Sequence, residues 1–352
     1  MNAAVFWGPN KISNTQVPLY GQKSIENAKI LRVKACAVCG YDVRVFRNGH
    51  EKVDPPIILG HEICAETVDD LELVAGIIPA NTRVAVSPIV PCLRCTYCST
   101  DQYNLCSNLR ELGSSIDGGF AEYIRVPNTT LQVGGIIPIP NEVNDNEASL
   151  LEPLACCLNG LSRLASHSLD ENHSICIIGD GPIGLIHLKL FNLVRAKRII
   201  IGKIESRMKA AKSMGAHEVL LADDRLESTA KEVFNLTNGV GANLVIIAAS
   251  NPEALGLATK VASKNAQISL FAGMPKNTRL SLDSNWLHYN QVSIIGNFSA
   301  IPDSLRQAIR FVAEHRIILS DLVSHCYSLS NIEKALAATE SYDGLRNVIN
   351  EF

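Results

Sequence analysis

The sequence predicts an α/β chain of two domains, a β-rich one followed by a doubly wound parallel sheet. Three observations carry this. Residues 1 to about 150 are short β-like runs broken by Gly, Pro and Asn. From about 174 to 295, nearly all-apolar runs alternate with helical stretches. At the head of that second zone, GDGPIG stands directly between a strand and an apolar helix. A length of 352 residues agrees with two domains.

In the first zone RVAVSPIV, FAEYIRV and IIPIP read as strands of a barrel-like or irregular β domain. In the second, SICIIG, RIIIG, EVLLAD, NLVIIAAS, AQISLFAG and QVSIIG read as buried strands. Strands covered on both faces lose the polar alternation of a half-exposed sheet, which is why these runs are apolar throughout. LIHLKLFNLV, SRMKAAKSM, STAKEVFNL and EALGLATKVAS read as the intervening helices. The last zone gives two amphipathic helices, DSLRQAIRFVAEH and NIEKALAATE, and a strand-like RNVIN. There is no internal repeat and no low-complexity tract.

A hydrophobic fraction of 47% with 19% charged residues suits sizeable cores. The net charge is −3 and the cations are scattered, which argues against nucleic acid or an anionic membrane as partner. The longest apolar stretch, Ser174 to Val194, is interrupted by Asp180, three glycines, His187 and Lys189, and does not read as a membrane span. MNAAVFWGPN has neither a basic region nor a long apolar one, so no secretory leader is read. Eleven cysteines fit metal sites in a reducing compartment better than a disulfide framework, and the expected location is the cytoplasm.

The sharpest chemical signal is VPCLRCTYCSTDQYNLC. Cys92, Cys95, Cys98 and Cys106 are separated by two, two and seven residues. Thiolates two residues apart reach one ion from a single turn, and four protein ligands close a tetrahedral zinc, so this site is expected to be structural. A second set is dispersed: Cys39 in ACAVCGYD, His61 and Glu62 in ILGHEICAE, and Glu152 in LLEPLACC. One thiolate, one imidazole and one or two carboxylates make a zinc site that keeps a coordination place open. Each also has a plainer reading: Cys39 as a core thiol, His61 as a satisfied loop histidine, Glu152 as the cap of a helix beginning at Pro153. Spacing alone does not join them.

In GDGPIG, Gly179 allows the tight turn, Gly181 lets the backbone approach a pyrophosphate, and Gly184 lets helix and strand pack closely. Pro182 and Ile183 open the helix whose terminal N–H groups face the phosphates. The acid that usually follows about 20 residues on, to hold the adenosine ribose, is missing. The second strand ends IIIGKIESR, with Gly202 and, 19 positions after Gly184, Lys203, then Arg207. A cation there attracts the 2′-phosphate of NADP, so NADP is favoured over NAD. Glu205 rotating in to hold the ribose is the alternative.

Together and in this order, CGYD, GHE, the four-cysteine lobe, DGGFAEY, EPLAC, GDGPIG and GLRNVI resemble the zinc-containing medium-chain alcohol dehydrogenase family, in its polyol branch of sorbitol and threonine dehydrogenases. The resemblance runs nearly end to end. It implies a GroES-like catalytic domain from residues 1–153 and 296–352, with a Rossmann domain, 154–295, inserted between. It implies a catalytic zinc at Cys39, His61 and Glu62, with Glu152 as a further ligand or a partner of bound water, and hence two zinc ions per chain. It also implies that Asp42 orients the zinc-binding histidine. Arg346 is expected at the cofactor pyrophosphate, and Phe271, Ala272 and Gly273 with Gly296, Asn297 and Phe298 near the nicotinamide.

Three departures stand out. The family usually has Ser or Thr where this chain has Tyr41, and often His where it has Arg44, so the proton route differs. The usual Gly-Asp before RVAV is Asn81-Thr82, read as turn variation. The implied reaction is hydride transfer between a secondary alcohol and NAD(P), the hydroxyl activated by zinc and its proton leaving through Tyr41 or a water at Glu152. Arg44, Arg47 and His50 either meet a phosphate or carboxylate on the substrate or line a solvated loop. The rivals are a zinc-free NADPH quinone or enoyl reductase and a non-catalytic binding protein that keeps the structural zinc. Which alcohol or polyol is used is not written in the motifs, and a homodimer or homotetramer is expected.

Overall fold

The computed structural model describes residues 1–19, 27–73, 76–164, 169–222 and 226–352. The chain forms two compact units, Met1–Leu158 with Ser299–Phe352, and Asn159–Phe298. The first division falls inside the helix Leu151–Ser162, later than the expected boundary after Pro153. Pro153 stands in that helix's first turn, where a missing N–H removes no helical hydrogen bond.

The larger unit is organised by the strand Ala28–Ala37. It pairs antiparallel with Glu62–Thr67 along its length, with Tyr123–Pro127 near its start, and with Arg346–Glu351 at its end. Arg83–Val86 with Ile136–Pro138, and Val323–Ser328, extend the sheet on its two sides. Alternating burial early in the central strand gives way to continuous burial from Ala35 to Ala37, where neighbours cover both faces. A second sheet, Lys11–Gln16, Asn2–Gly8 and Ile57–Ile58, packs its apolar face into the same core through Phe6, Ile12 and Ile57. Asn81 turns the chain into Arg83–Val86 with φ 58°, a left-handed conformation that asparagine tolerates.

The second unit is a six-stranded, all-parallel sheet. Its spatial order is Glu218–Leu221, Lys197–Gly202, Ser174–Ile178, Ala242–Ile247, Ala262–Leu270 and Ser293–Gly296. Numbered by sequence this is the 3-2-1-4-5-6 order of doubly wound dinucleotide folds. Helices Pro182–Phe191, Glu205–Ser213, Leu226–Leu236 and Pro252–Val261 make the crossovers. Asp223, at the end of the EVLLAD run, lies outside the described residues. The helix expected over EALGLATKVAS stops at Val261, because Ala262 already pairs with Ala242 and begins the next strand. Ser284–Asn290 is a helix that periodicity does not reveal. None of its residues is fully buried; Trp286 and Leu287 pack part-buried against the core of the sheet, and Asp283 caps the helix, its carboxylate accepting the Asn285 and Trp286 N–H groups. Among the described residues no helix is long and apolar enough to cross a membrane.

The helix Pro182–Phe191 lies against the first strand through Gly184, where an added Cβ would stand 2.0 Å from the Gly179 carbonyl oxygen. A backbone oxygen cannot swing aside as a side chain can. Gly184→Val is therefore expected to lose about 1–3 kcal/mol of stability to overpacking, read as a lowered midpoint in urea or thermal unfolding.

Candidate active site

Sheet register brings the dispersed residues to one place. Ala37 pairs with Glu62 on one side and with Val348 on the other. Cys39 follows Ala37 by two residues, His61 precedes Glu62 by one, and Arg346 precedes Val348 by two. All therefore gather at one end of the sheet. Cys39 is the N-cap of the helix Gly40–Asn48, and its own N–H donates to Asp42 Oδ2 at 2.8 Å. His61 is delivered by a clamp: Asp117 Oδ1 accepts the Ile58 N–H, and Gly118, Gly119 and Phe120 donate to the carbonyls of Ile58, Gly60 and Leu59.

One ligand atom each from Cys39, His61 and Glu62 lies within 4.8 Å of the others. Asp42, fully buried, stands behind the histidine, its Oδ1 3.6 Å from His61 Nδ1. An acid at Nδ1 leaves Nε2 as the ring's ligand atom, the arrangement common to metal-binding histidines. Burial works against a charged His61, but the Asp42 carboxylate and Cys39 together outweigh it and hold the imidazole pKa well above its ordinary value. Burial would likewise raise the Cys39 thiol, yet hydrogen bonding and charge from His61, with Arg346 adding to them, bring it down to about 7. That thiol is primed to ligate as a thiolate.

Glu62 is buried, and its Oε1 accepts from Arg346 Nη2 at 2.7 Å. Arg346 also donates to the Val38 carbonyl at 3.1 Å. Burial pushes the Glu62 carboxyl upward, and the Arg346 guanidinium pulls against it. The second oxygen, Oε2, is buried with no hydrogen-bond partner among the described residues. A thiolate, an oriented imidazole and an orphaned buried carboxylate oxygen are a donor set that fits zinc. Glu152 lies outside this trio. It is buried in the first turn of Leu151–Ser162, and its Oε1 accepts from Cys156 Sγ at 3.1 Å.

Tyr41 takes the place of the expected Ser or Thr, with its Oη 3.0 Å from Ser114 Oγ. Its ring meets those of His61 and His50 edge-on, at 5.7 and 5.4 Å between centroids. Arg44 and Arg47 lie on the helix Gly40–Asn48, not in a loop. Arg47 is engaged by Glu340, Nε to Oε1 at 2.9 Å, and by Asn10.

The four-cysteine lobe closes on itself. Cys92, Cys95, Cys98 and Cys106 place their sulfurs within 4.8 Å of one another, with Cys95 Sγ 3.6 Å from Cys98 Sγ and 4.0 Å from Cys106 Sγ. Thiolates around tetrahedral zinc stand about 3.8 Å apart, given Zn–S bonds of about 2.3 Å. Backbone N–H groups of Ser107 and Cys98 draw the Cys95 thiol down to about 5, and the Cys106 sulfur accepts from the Cys92 and Asn108 amides.

In the second unit, Gly179 has φ 126°, and a Cβ on Gly181 would meet nothing within 4 Å, leaving the room a pyrophosphate needs. Pro182 and Ile183 begin the helix as expected. Gly202 ends the second strand and Lys203 is exposed beyond it, whereas Arg207 is buried on the following helix. Asp180 was not anticipated there: its Oδ2 accepts the Lys203 and Ile204 N–H groups at 2.8 and 2.7 Å. Phe271, Ala272 and Gly273 follow the fifth strand, and a Cβ on Gly273 or Gly296 would meet nothing within 4 Å. Asn297 Nδ2 donates to Ser269 Oγ at 2.6 Å, while its buried Oδ1 has no partner among the described residues. A Cβ on Gly160 would stand 3.4 Å from that oxygen, so Gly160 and Asn297 pack closely at this end of the sheet.

Sequence reading missed Ser114, Cys156 and Asp180. Nothing in the spacing links Ser114 to Tyr41. Cys156 stands four residues after Glu152, one helical turn, which is a usable signal. Asp180 could have been suspected from the absence of any side chain at Gly202.

A doubly wound dinucleotide unit joined to a β-rich unit with a zinc-ready trio defines a zinc-dependent, nicotinamide-linked oxidoreductase. Family models agree: the alcohol dehydrogenase GroES-like domain matches residues 26–140 and the zinc-binding dehydrogenase model matches 182–314, together more than half of the chain. The chain belongs to the zinc-containing medium-chain alcohol dehydrogenases. It is 29% identical over 342 residues to a sorbitol dehydrogenase of Bacillus subtilis, covering 96% of this chain and 92% of that one. It is 26% identical over 315 residues to a D-arabitol-phosphate dehydrogenase of Enterococcus avium, covering 89% and 87%. A zinc-binding dehydrogenase of Sinorhizobium meliloti, solved with NADP, superposes with a TM-score of 0.86 at 26% identity over 99% of this chain and 98% of that one.

Two outcomes follow from this geometry. Arg346→Met leaves Glu62 buried and unpaired, and is expected to cost about 3–5 kcal/mol in denaturant unfolding, with Glu62→Gln/Arg346→Met recovering part of the loss. Cys98→Ser is expected to remove one equivalent of metal and lower the thermal midpoint, measured by elemental analysis beside differential scanning calorimetry.

Proposed function

We propose that this chain is a polyol dehydrogenase that oxidises a secondary alcohol of a polyol, sugar alcohol or related hydroxy compound, with two zinc ions per chain and NADP ahead of NAD. The observation that carries it is the meeting of Cys39, His61 and Glu62, with Asp42 behind the histidine and Arg346 behind the glutamate. A zinc ion at that trio would supply Lewis acidity toward the substrate hydroxyl. Asp42 keeps the His61 ring oriented, and Arg346 offsets the charge of Glu62 so that the site stays near neutral. Tyr41, bonded to Ser114, gives the hydroxyl proton a path away from His61, and Glu152 offers a second acceptor. The sorbitol and arabitol-phosphate dehydrogenases among its relatives support a polyhydroxylated substrate.

The four-cysteine lobe supports the second zinc, as a structural ion with no open position. Lys203, exposed where the second strand ends without an acid, supports NADP. A homodimer or homotetramer is supported by Ser293–Gly296, a half-buried strand paired on one side only among the described residues, and by Tyr289, 75% exposed nearby in sequence. All eleven cysteines are free thiols, which supports a reducing, cytoplasmic setting.

The test is metal content per chain with NAD and NADP binding, on wild type and on Cys39→Ala. Two zinc ions falling to one, with dinucleotide still bound and turnover of a polyol panel lost by at least about a thousandfold, is the expected result. A single zinc that Cys39→Ala leaves in place would sink the catalytic-metal reading.

A further inference from the structure

In dinucleotide-binding folds the acid that holds the adenosine ribose stands at the end of the second strand. Here that end is Gly202, and the structure leaves no room for a side chain on it. A Cβ would lie 2.4 Å from Asp180 Cβ, 2.5 Å from Asp180 Oδ2 and 2.5 Å from Met208 Sδ. The space is taken by a residue of the glycine turn. Asp180 reaches across from GDGPIG, and its Oδ2 accepts the N–H groups of Lys203 at 2.8 Å and Ile204 at 2.7 Å. A carboxylate therefore stands at the strand end although the strand's own sequence supplies none. Two amides use part of its capacity, and a carboxylate has about four acceptor sites, so it can still take a ribose hydroxyl.

We propose that Asp180 is the specificity-determining residue of the dinucleotide site, replacing the missing strand-end acid. Its negative charge opposes a 2′-phosphate, while the Lys203 ammonium, on the residue whose backbone Asp180 holds, attracts it. The two side chains act against each other, and their balance sets the ratio of NADP to NAD affinity. This rests on the dinucleotide reading above and deepens it: Lys203 supplies the preference for NADP and Asp180 limits it.

The experiment is titration of the purified full chain with NAD and with NADP, by calorimetry or fluorescence quenching, at fixed ionic strength. Asp180→Asn keeps size and an acceptor for the two amides but removes the charge. It is expected to raise NADP affinity relative to NAD by about tenfold, and Lys203→Ala to lower it by a similar factor. Should Asp180→Asn fail to fold, Asp180→Ala also removes the charge and is expected to raise NADP affinity relative to NAD in the same direction. Dinucleotides that bind with a ratio unmoved by either Asp180 variant overturn the proposal while leaving the dehydrogenase intact. Wild type that binds neither NAD nor NADP overturns the dinucleotide reading itself, and this inference with it.

Discussion

Glu62 and Arg346 meet at 2.7 Å inside the larger unit, each almost fully shielded from solvent, although 284 residues separate them in the chain. Each would be costly to bury alone, so each is retained there only with the other. Between them runs the end of the strand Ala28–Ala37, paired to the strand of Glu62 on one side and to the strand of Arg346 on the other. The ion pair thus locks the first and last parts of the chain at the same end of the sheet. Cys39, Val38 and His61 are placed by that end, and the Arg346 charge also acts on the Cys39 thiol. Arg346 had been expected at a cofactor pyrophosphate. Its described partners are Glu62 and the Val38 carbonyl, with Cys39 beside it, so it also shapes the electrostatics of the metal-ready trio.

The two metal-ready clusters are built on opposite principles. The four-cysteine lobe is local: its turns, short 3₁₀ segments and amide–sulfur hydrogen bonds all fall between Cys92 and Asn108. Its ligand count leaves no vacancy, which suits a structural ion. The trio of Cys39, His61 and Glu62 is non-local, assembled by sheet register and held by Asp42 and Arg346. It uses fewer ligands and borders polar groups that could move a proton: Tyr41, Ser114 and Glu152 with Cys156. The Tyr41 ring packs edge-on to His61, so the exchange of a small hydroxyl residue for tyrosine changes both the shape and the chemistry of that side of the site.

The dinucleotide unit shows a similar coupling between distant positions. Gly202 lacks a side chain because Asp180 occupies its space, and Asp180 is held there by the amides just past Gly202. Neither residue is understandable alone. A motif reading that counts forward from the glycines to an expected acid finds a glycine and a lysine, and misses that the carboxylate arrives from the turn itself.

Much of the fold was legible because its signals are local. Apolar runs alternating with helical stretches announced the parallel sheet, and GDGPIG marked its first turn. Four cysteines spaced within one loop announced a closed metal site. The helix Ser284–Asn290 was not legible, since it is only seven residues long and just Trp286 and Leu287 pack against the core, too short a pattern to show a helical period. By itself, then, the sequence determined which residues could ligate, where the strands and the phosphate-binding turn lie, and that an acid is absent after the second strand. Only the tertiary structure decided that Cys39, His61 and Glu62 meet while Glu152 pairs with Cys156, that Arg346 answers Glu62, and that Asp180 fills the place of the absent acid. The physical reason is that these contacts are set by strand register and side-chain packing between segments far apart in the chain, and spacing along the chain does not encode them.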